Sequence, residues 1–78
     1  MFRQETFIEG NGKMFGIGDI VEVHYKKVYQ QEAQVCQGRI VKPTILSELK
    51  LDISTKFNSK TIEINLEDII EIYNLVEI

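Results

Sequence analysis

Cys36 and His24 are the only cysteine and the only histidine in the chain. A thiol beside an imidazole is the smallest nucleophile–base pair that could do covalent chemistry. The surroundings of each argue for other roles. Cys36 stands in a strand-like run with Val35, Ile40 and Val41, and unpaired cysteine is among the most often buried residue types, so it is read as core. His24 alternates outward between Glu22 and Lys26 and is read as a surface residue. One Cys and one His cannot furnish a closed zinc site, and a single cysteine allows no internal disulfide. Glu67, Asp68 and Glu71 cluster in sequence, but metal or general-acid work needs carboxylates that converge. A tight turn running into a strand points them apart, which reads as a solvated acidic edge that discourages edge-to-edge association. Gly10, Gly12, Gly16 and Gly18 match neither the dinucleotide fingerprint nor a phosphate-binding loop, and are read as turn glycines. No nucleophile, base and metal set can be assembled. The expectation is a chain that is not an enzyme, with no catalytic residues, no metal and no cofactor.

Two groups of residues are better suited to binding. Tyr25, Lys26, Lys27 and Tyr29 lie at one loop, and Lys56, Phe57, Asn58 and Lys60 at another. Aromatic rings beside ammonium groups can stack a base and hold a phosphate. The competing reading has Phe57 capping the end of the fold and the lysines simply solvated. At the C-terminal end, Tyr73, Leu75, Val76 and Ile78 add apolar groups on both faces of a strand in which Ile70 and Ile72 share one face. A strand apolar on both sides needs cover on both, from an N-terminal hairpin or from a second copy of the chain. These four residues are the candidate oligomer interface.

The elements that position these residues are strands. In Asp19–Lys26, Val21, Val23 and Tyr25 take one face and Glu22, His24 and Lys26 the other. Leu49–Ser54 and Thr61–Leu66 alternate in the same way, with Ile62, Ile64 and Leu66 facing inward. Residues 33–42 change phase around Gly38, where a glycine often marks a bulge or bend. Residues 70–75 form the last strand, and the three residues before it fit a 3₁₀ turn. The loops are 27–32, 43–48 and 55–60, and residues 44–49 could hold one helical turn after Pro43. At the start, Thr6–Glu9 and Lys13–Phe15 flank Gly10-Asn11-Gly12. An Asn-Gly pair is a strong hairpin signal. The fold class expected is all-β: a five-stranded small barrel over 19–78, preceded by an N-terminal β-hairpin or arm over 1–18. Closure would remove the exposed edges of a flat sheet.

Size and charge bound the rest. At 78 residues the chain is one domain, small enough to bury only about 60% of its unfolded surface. With no disulfide or metal to assist, self-association is favoured. The composition, 44% hydrophobic and 27% charged, is that of a folded protein. No run approaches the ~18 apolar residues of a membrane span. The first residues lack the basic and apolar segments of a signal peptide, and a lone cysteine fits a cytoplasmic setting. The net charge of −3 does not favour nucleic acid. It is unevenly spread: residues 20–60 carry seven Lys/Arg against four Asp/Glu, whereas the segment from 61 onward has five acids and no base.

Phe15-Gly16-Ile17-Gly18-Asp19-Ile20-Val21-Glu22-Val23, then Gly38-Arg39-Ile40-Val41, then Leu66-Glu67-Asp68-Ile69-Ile70-Glu71-Ile72 resembles the SH3-like, KOW-like and Sm-like small barrels. There a Gly-Asp pair opens the first strand, a Gly-x-Ile marks the second and a short 3₁₀ turn precedes the fifth. The likeness implies fold and no single function. The chain has no Trp and no Ala-Leu-Tyr-Asp-Tyr-like run, so it departs from the proline-peptide-binding signalling SH3 domains. Leu51–Lys60 resembles a segment of uncharacterised small proteins of low-GC Gram-positive bacteria and their phages, which implies a phage or prophage accessory protein.

Three functions follow as expectations. The first is a non-enzymatic interaction module that self-assembles or docks on a host protein. The second is an oligomeric counter-defence protein that sequesters a nucleotide signal. The third is a barrel binding RNA or single-stranded nucleic acid, which the acidic balance disfavours.

Overall fold

Strands form where apolar and polar residues alternate, and the side that alternation marks as apolar is the side that becomes buried. The computed structural model describes residues 1–75. In chain order the elements are β1 (Arg3–Gln4), β2 (Ile8–Gly10), β3 (Lys13–Phe15), β4 (Ile20–Tyr25), β5 (Gln34–Val41), β6 (Glu48–Asp52), β7 (Thr61–Asn65), the 3₁₀ turn η1 (Leu66–Asp68) and β8 (Ile69–Asn74). The fold is all-β. Among the described residues no helix is long and apolar enough to cross a membrane.

The strands make two antiparallel sheets, of order β1-β2-β3 and β7-β6-β5-β4-β8. In the larger sheet β7 and β8 are the two edges, four strand spacings apart, or about 19 Å if the sheet were flat. Yet η1, three residues long and rising only ~6 Å, connects them. The larger sheet therefore curls until its edges approach at η1, although no ladder joins β7 to β8 and the sheet is not closed. Asn65 caps the turn by accepting from the Glu67 N–H at 3.1 Å, and the Ile69 N–H donates back to Leu66 O.

The concave side holds Val21, Val23, Ile40, Leu49, Leu51, Ile64, Leu66, Ile69 and Ile72, with Tyr25, Cys36, Ile53 and Ile62 packed partly against them. Phe2, Ile8 and Phe15 from the smaller sheet are buried in the same core. Gln4, the one buried polar side chain of the described residues, pins β1 by donating to Leu46 O (3.2 Å) and Glu48 O (2.7 Å). The β2–β3 turn is Asn11-Gly12, with φ of 53° and 77°. Positive φ at both positions lets a two-residue turn follow strand twist.

Three expectations need correction. Ile70 and Ile72 do not share a face: Ile72 is fully buried and Ile70 is exposed, with Ile69 taking the inward place. The cause is a register shift between His24 and Tyr25, where the β4–β8 pairing passes from His24↔Glu71 to Tyr25↔Ile69 and skips Ile70. Gly38 is not a bulge against β4, since the register runs unbroken through Val21↔Gly38 and Ile20↔Arg39. It is instead a close approach, because a Cβ there would stand 2.7 Å from Asp52 O. Residues 44–47 hold no helical turn, only a tight turn in which the Glu48 N–H donates to Ile45 O at 3.2 Å.

Candidate functional site

The loop after β4 is anchored at its start by the Lys26 N–H donating to Asp68 O (2.9 Å), and it turns back on itself where the Gln30 N–H donates to Lys27 O (3.0 Å). The Lys27 N–H also donates to Gln30 Oε1 at 3.1 Å. This anchoring lays Lys27, Val28 and Tyr29 beside η1. There they wall a cavity of about 410 Å³ whose other lining residues are Glu48, Glu63, Asn65, Glu67 and Asp68. Glu48, Glu63 and Asn65 belong to the outward faces of β6 and β7, opposite to Leu49 and Ile64. Four acidic residues and a single basic one, Lys27, thus line the cavity. Among the described residues none of the four is in an ion pair, since those pairs are Arg3–Glu9, Lys13–Glu71 and His24–Glu22. Two apolar side chains complete the rim, with Val28 94% and Tyr29 79% exposed.

Two other hollows, about 520 and 550 Å³, lie on the outer face of the smaller sheet and share Arg3, Glu9 and Met14. Both contain the Arg3–Glu9 ion pair, Arg3 Nη2 standing 2.7 Å from Glu9 Oε1. The cavity at η1 gathers residues from β6, β7, η1 and the loop after β4, four acidic and one basic.

The residues singled out from sequence fall in different places. Lys27 and Tyr29 line the η1 cavity, and Tyr25 is partly buried against the core. Lys56, Phe57, Asn58 and Lys60 occupy the β6–β7 connection, which leaves the hairpin from its Asp52↔Thr61 end. The cavity lies at the opposite, Glu48↔Asn65 end. Among the described residues no hydrogen bond or ion pair joins the two loops. Phe57 is 96% exposed and caps nothing. Its connection is ordered locally: the Ile53 N–H donates to Lys60 O, the Thr55 N–H to Asn58 O and the Lys60 N–H to Ser54 Oγ. Tyr73 and Leu75 are partly exposed, whereas Val76 and Ile78 lie outside the described residues.

Cys36 and His24 face opposite sides of the sheet. The register Val23↔Cys36 puts the thiol on the core side, where burial pushes it above its ordinary range. His24 is outside, its Nε2 2.8 Å from Glu22 Oε2 and its ring edge-on to Tyr73 at 5.2 Å. Hydrogen bonds from His24 and then from Gln37 hold the Glu22 carboxyl below its usual range. Glu71 parts company with Glu67 and Asp68. It turns to the smaller sheet, where Lys13 Nζ is 3.4 Å away.

Sequence reasoning missed Glu48, Glu63 and Asn65 as neighbours of Lys27 and Tyr29. Only the curl of the sheet brings them together. The available signal was the run of acids from residue 61 onward with no base to answer it.

No protein-family model, curated protein or solved structure matches this chain.

Proposed function

We propose that the chain is a non-enzymatic interaction module, built on an SH3-like barrel with an N-terminal hairpin, that docks a basic segment of a partner protein in the cavity at η1. The fold reading is supported by the strand order β7-β6-β5-β4-β8 and by the 3₁₀ turn that links the two edge strands. The docking reading rests on one observation above all: Glu48, Glu63, Glu67 and Asp68 line one cavity in which Lys27 is the sole basic residue, beside the exposed Val28 and Tyr29. An arginine or lysine entering there gains Coulomb attraction, and Tyr29 offers a ring for a cation to stack on. The same charge opposes a phosphate, which sets this reading above nucleotide sequestration and above nucleic-acid binding.

The test is selection of random decapeptides by mRNA display on the whole chain. Peptides rich in Lys or Arg are expected to emerge. Their affinity should fall at least tenfold against a Glu48→Gln, Glu63→Gln, Glu67→Gln, Asp68→Asn variant that still unfolds cooperatively. A selection that enriches nothing, or enriches peptides indifferent to that variant, overturns the reading.

A further inference from the structure

The two edges of the larger sheet are treated differently. In the β4–β8 pairing, Leu75 N–H donates to Ile20 O, so hydrogen-bonded pairs recur every second residue and the main-chain groups of Ile72 point off the edge. Both are occupied by side chains: Lys13 Nζ donates to Ile72 O at 3.2 Å, and the Ile72 N–H donates to Glu71 Oε1 at 3.0 Å. Asn11 Nδ2 covers Ile70 O at 3.3 Å. The β8 edge is closed to a further strand.

The β7 edge has no such guard. Leu66 N–H donates to Ser47 O and Ile53 N–H to Lys60 O. With the register Leu49↔Ile64 and Leu51↔Ile62, these bonds place Ile62 and Ile64 in the bonded pairs. Thr61, Glu63 and Asn65 therefore turn their N–H and C=O groups away from β6. The carbonyl of Asn65 is taken up by the first turn of η1, but the groups of Thr61 and Glu63 and the Asn65 N–H have no partner among the described residues, and all three side chains are exposed. An unguarded edge is a template for another strand.

Charge decides what fits. Glu63 sits at the centre of β7 with no ion pair among the described residues; Lys50, its partner across the hairpin, donates to Thr44 Oγ1 at 3.2 Å. A second copy pairing antiparallel about Glu63 would set two carboxylates face to face, which sheets avoid. We infer that β7 accepts an extended segment of another protein as a sixth strand of the larger sheet, with a Lys or Arg of that segment opposite Glu63 and its continuation entering the cavity at η1. Glu63 and Asn65 belong to both surfaces. The inference rests on the docking reading and specifies its geometry.

The test uses the decapeptide selected above. In amide hydrogen exchange by NMR, binding should slow Thr61, Glu63 and Asn65, while Ile62 and Ile64 change little because β6 already holds them. N-methylation of alternate peptide bonds, in one of the two registers, should weaken binding at least tenfold. Glu63→Lys should weaken it similarly, with partial recovery for a peptide whose facing base is changed to Glu. Peptide binding that shifts Lys27–Tyr29 resonances without protecting Thr61, Glu63 and Asn65 overturns the sixth strand and leaves docking intact. Concentration-dependent protection of the same amides without peptide, accompanied by a doubled mass in sedimentation, assigns the edge to a second copy and overturns it as well. A selection that yields no peptide overturns both readings.

Discussion

Lys13 places its ammonium 3.2 Å from the main-chain oxygen of Ile72, where the amide of a neighbouring strand would otherwise stand. A side chain from the smaller sheet thus completes the hydrogen bonding of an edge in the larger one. The same ammonium is 3.4 Å from Glu71 Oε1 and lies over the Tyr73 ring, 4.4 Å from its centre.

Replacing Lys13 should therefore cost more than an ordinary surface lysine. Lys13→Ala is expected to lose about 1 kcal/mol in urea unfolding, the scale of one charge-assisted bond discounted for partial exposure. Lys13→Met keeps the stem and loses the ammonium, and should recover little of it. Because the β8 edge is then open, the variant should also self-associate more readily than the parent in light scattering.

The smaller sheet is part of the core and not an appendage. Gly10 is where it leaves no room: a Cβ would stand 2.5 Å from Met1 O and 2.8 Å from the Cα of Phe2. Gly10→Ala should displace the fully packed Phe2 ring and destabilise by about 1–3 kcal/mol. Phe2→Ala should lose about 3–5 kcal/mol, enough to leave little folded protein in a domain of this size. Thermal unfolding of the two variants measures both.

Acid should weaken the fold, and the sign follows from three carboxyls. Glu71 is held below its ordinary 4.5 chiefly by the Ile72 N–H and then by Lys13. Glu22 is lowered by His24 and Gln37, and Asp52 by hydrogen bonds from Ser54. A carboxyl lowered in the folded state contributes stability above its unfolded value, and that contribution disappears as pH falls through the folded value. Guanidinium midpoints measured from pH 6 down to pH 2 should decline below about pH 4.5. The decline should be shallower in Glu22→Gln, Asp52→Asn, Glu71→Gln.

Cys36 should react slowly. Its thiol is partly buried against the core and pushed upward by that burial, so thiolate is scarce at neutral pH. Alkylation by iodoacetamide at pH 8 should be several-fold slower on the folded chain than in 6 M guanidinium. Equal rates would remove the thiol from the core side of β5.

How far the molecule could be read from its residues depends on the range of the interaction. Alternation through Val21 and Val23, Leu49 and Leu51, and Ile62 and Ile64 is local, and it marks the strands and their inward faces. Asn11-Gly12 is equally local and marks the hairpin. β1 escapes notice because two residues carry no period, and its Gln4 is buried for the sake of carbonyls more than forty positions away. The exchange of Ile69 for Ile70 depends on pairing with Tyr25, which no window around residue 70 contains. The candidate site behaves the same way. Lys27 and Tyr29 are conspicuous as a basic, aromatic loop, but their acidic neighbours are supplied by the curl of the sheet.

That curl also sets an order of events. β4 finds β5 within a short loop, whereas Val23 must wait for Ile72, about 50 positions later. Pairings of such long sequence separation make folding slow, because loop-closure entropy is spent before the contact repays it. On the ribosome, β4 emerges with one flank unpaired, and Lys13 and Asn11 have as yet no edge to guard. β4 thus keeps an open edge through the synthesis of β5, β6 and β7, until β8 emerges to cover it.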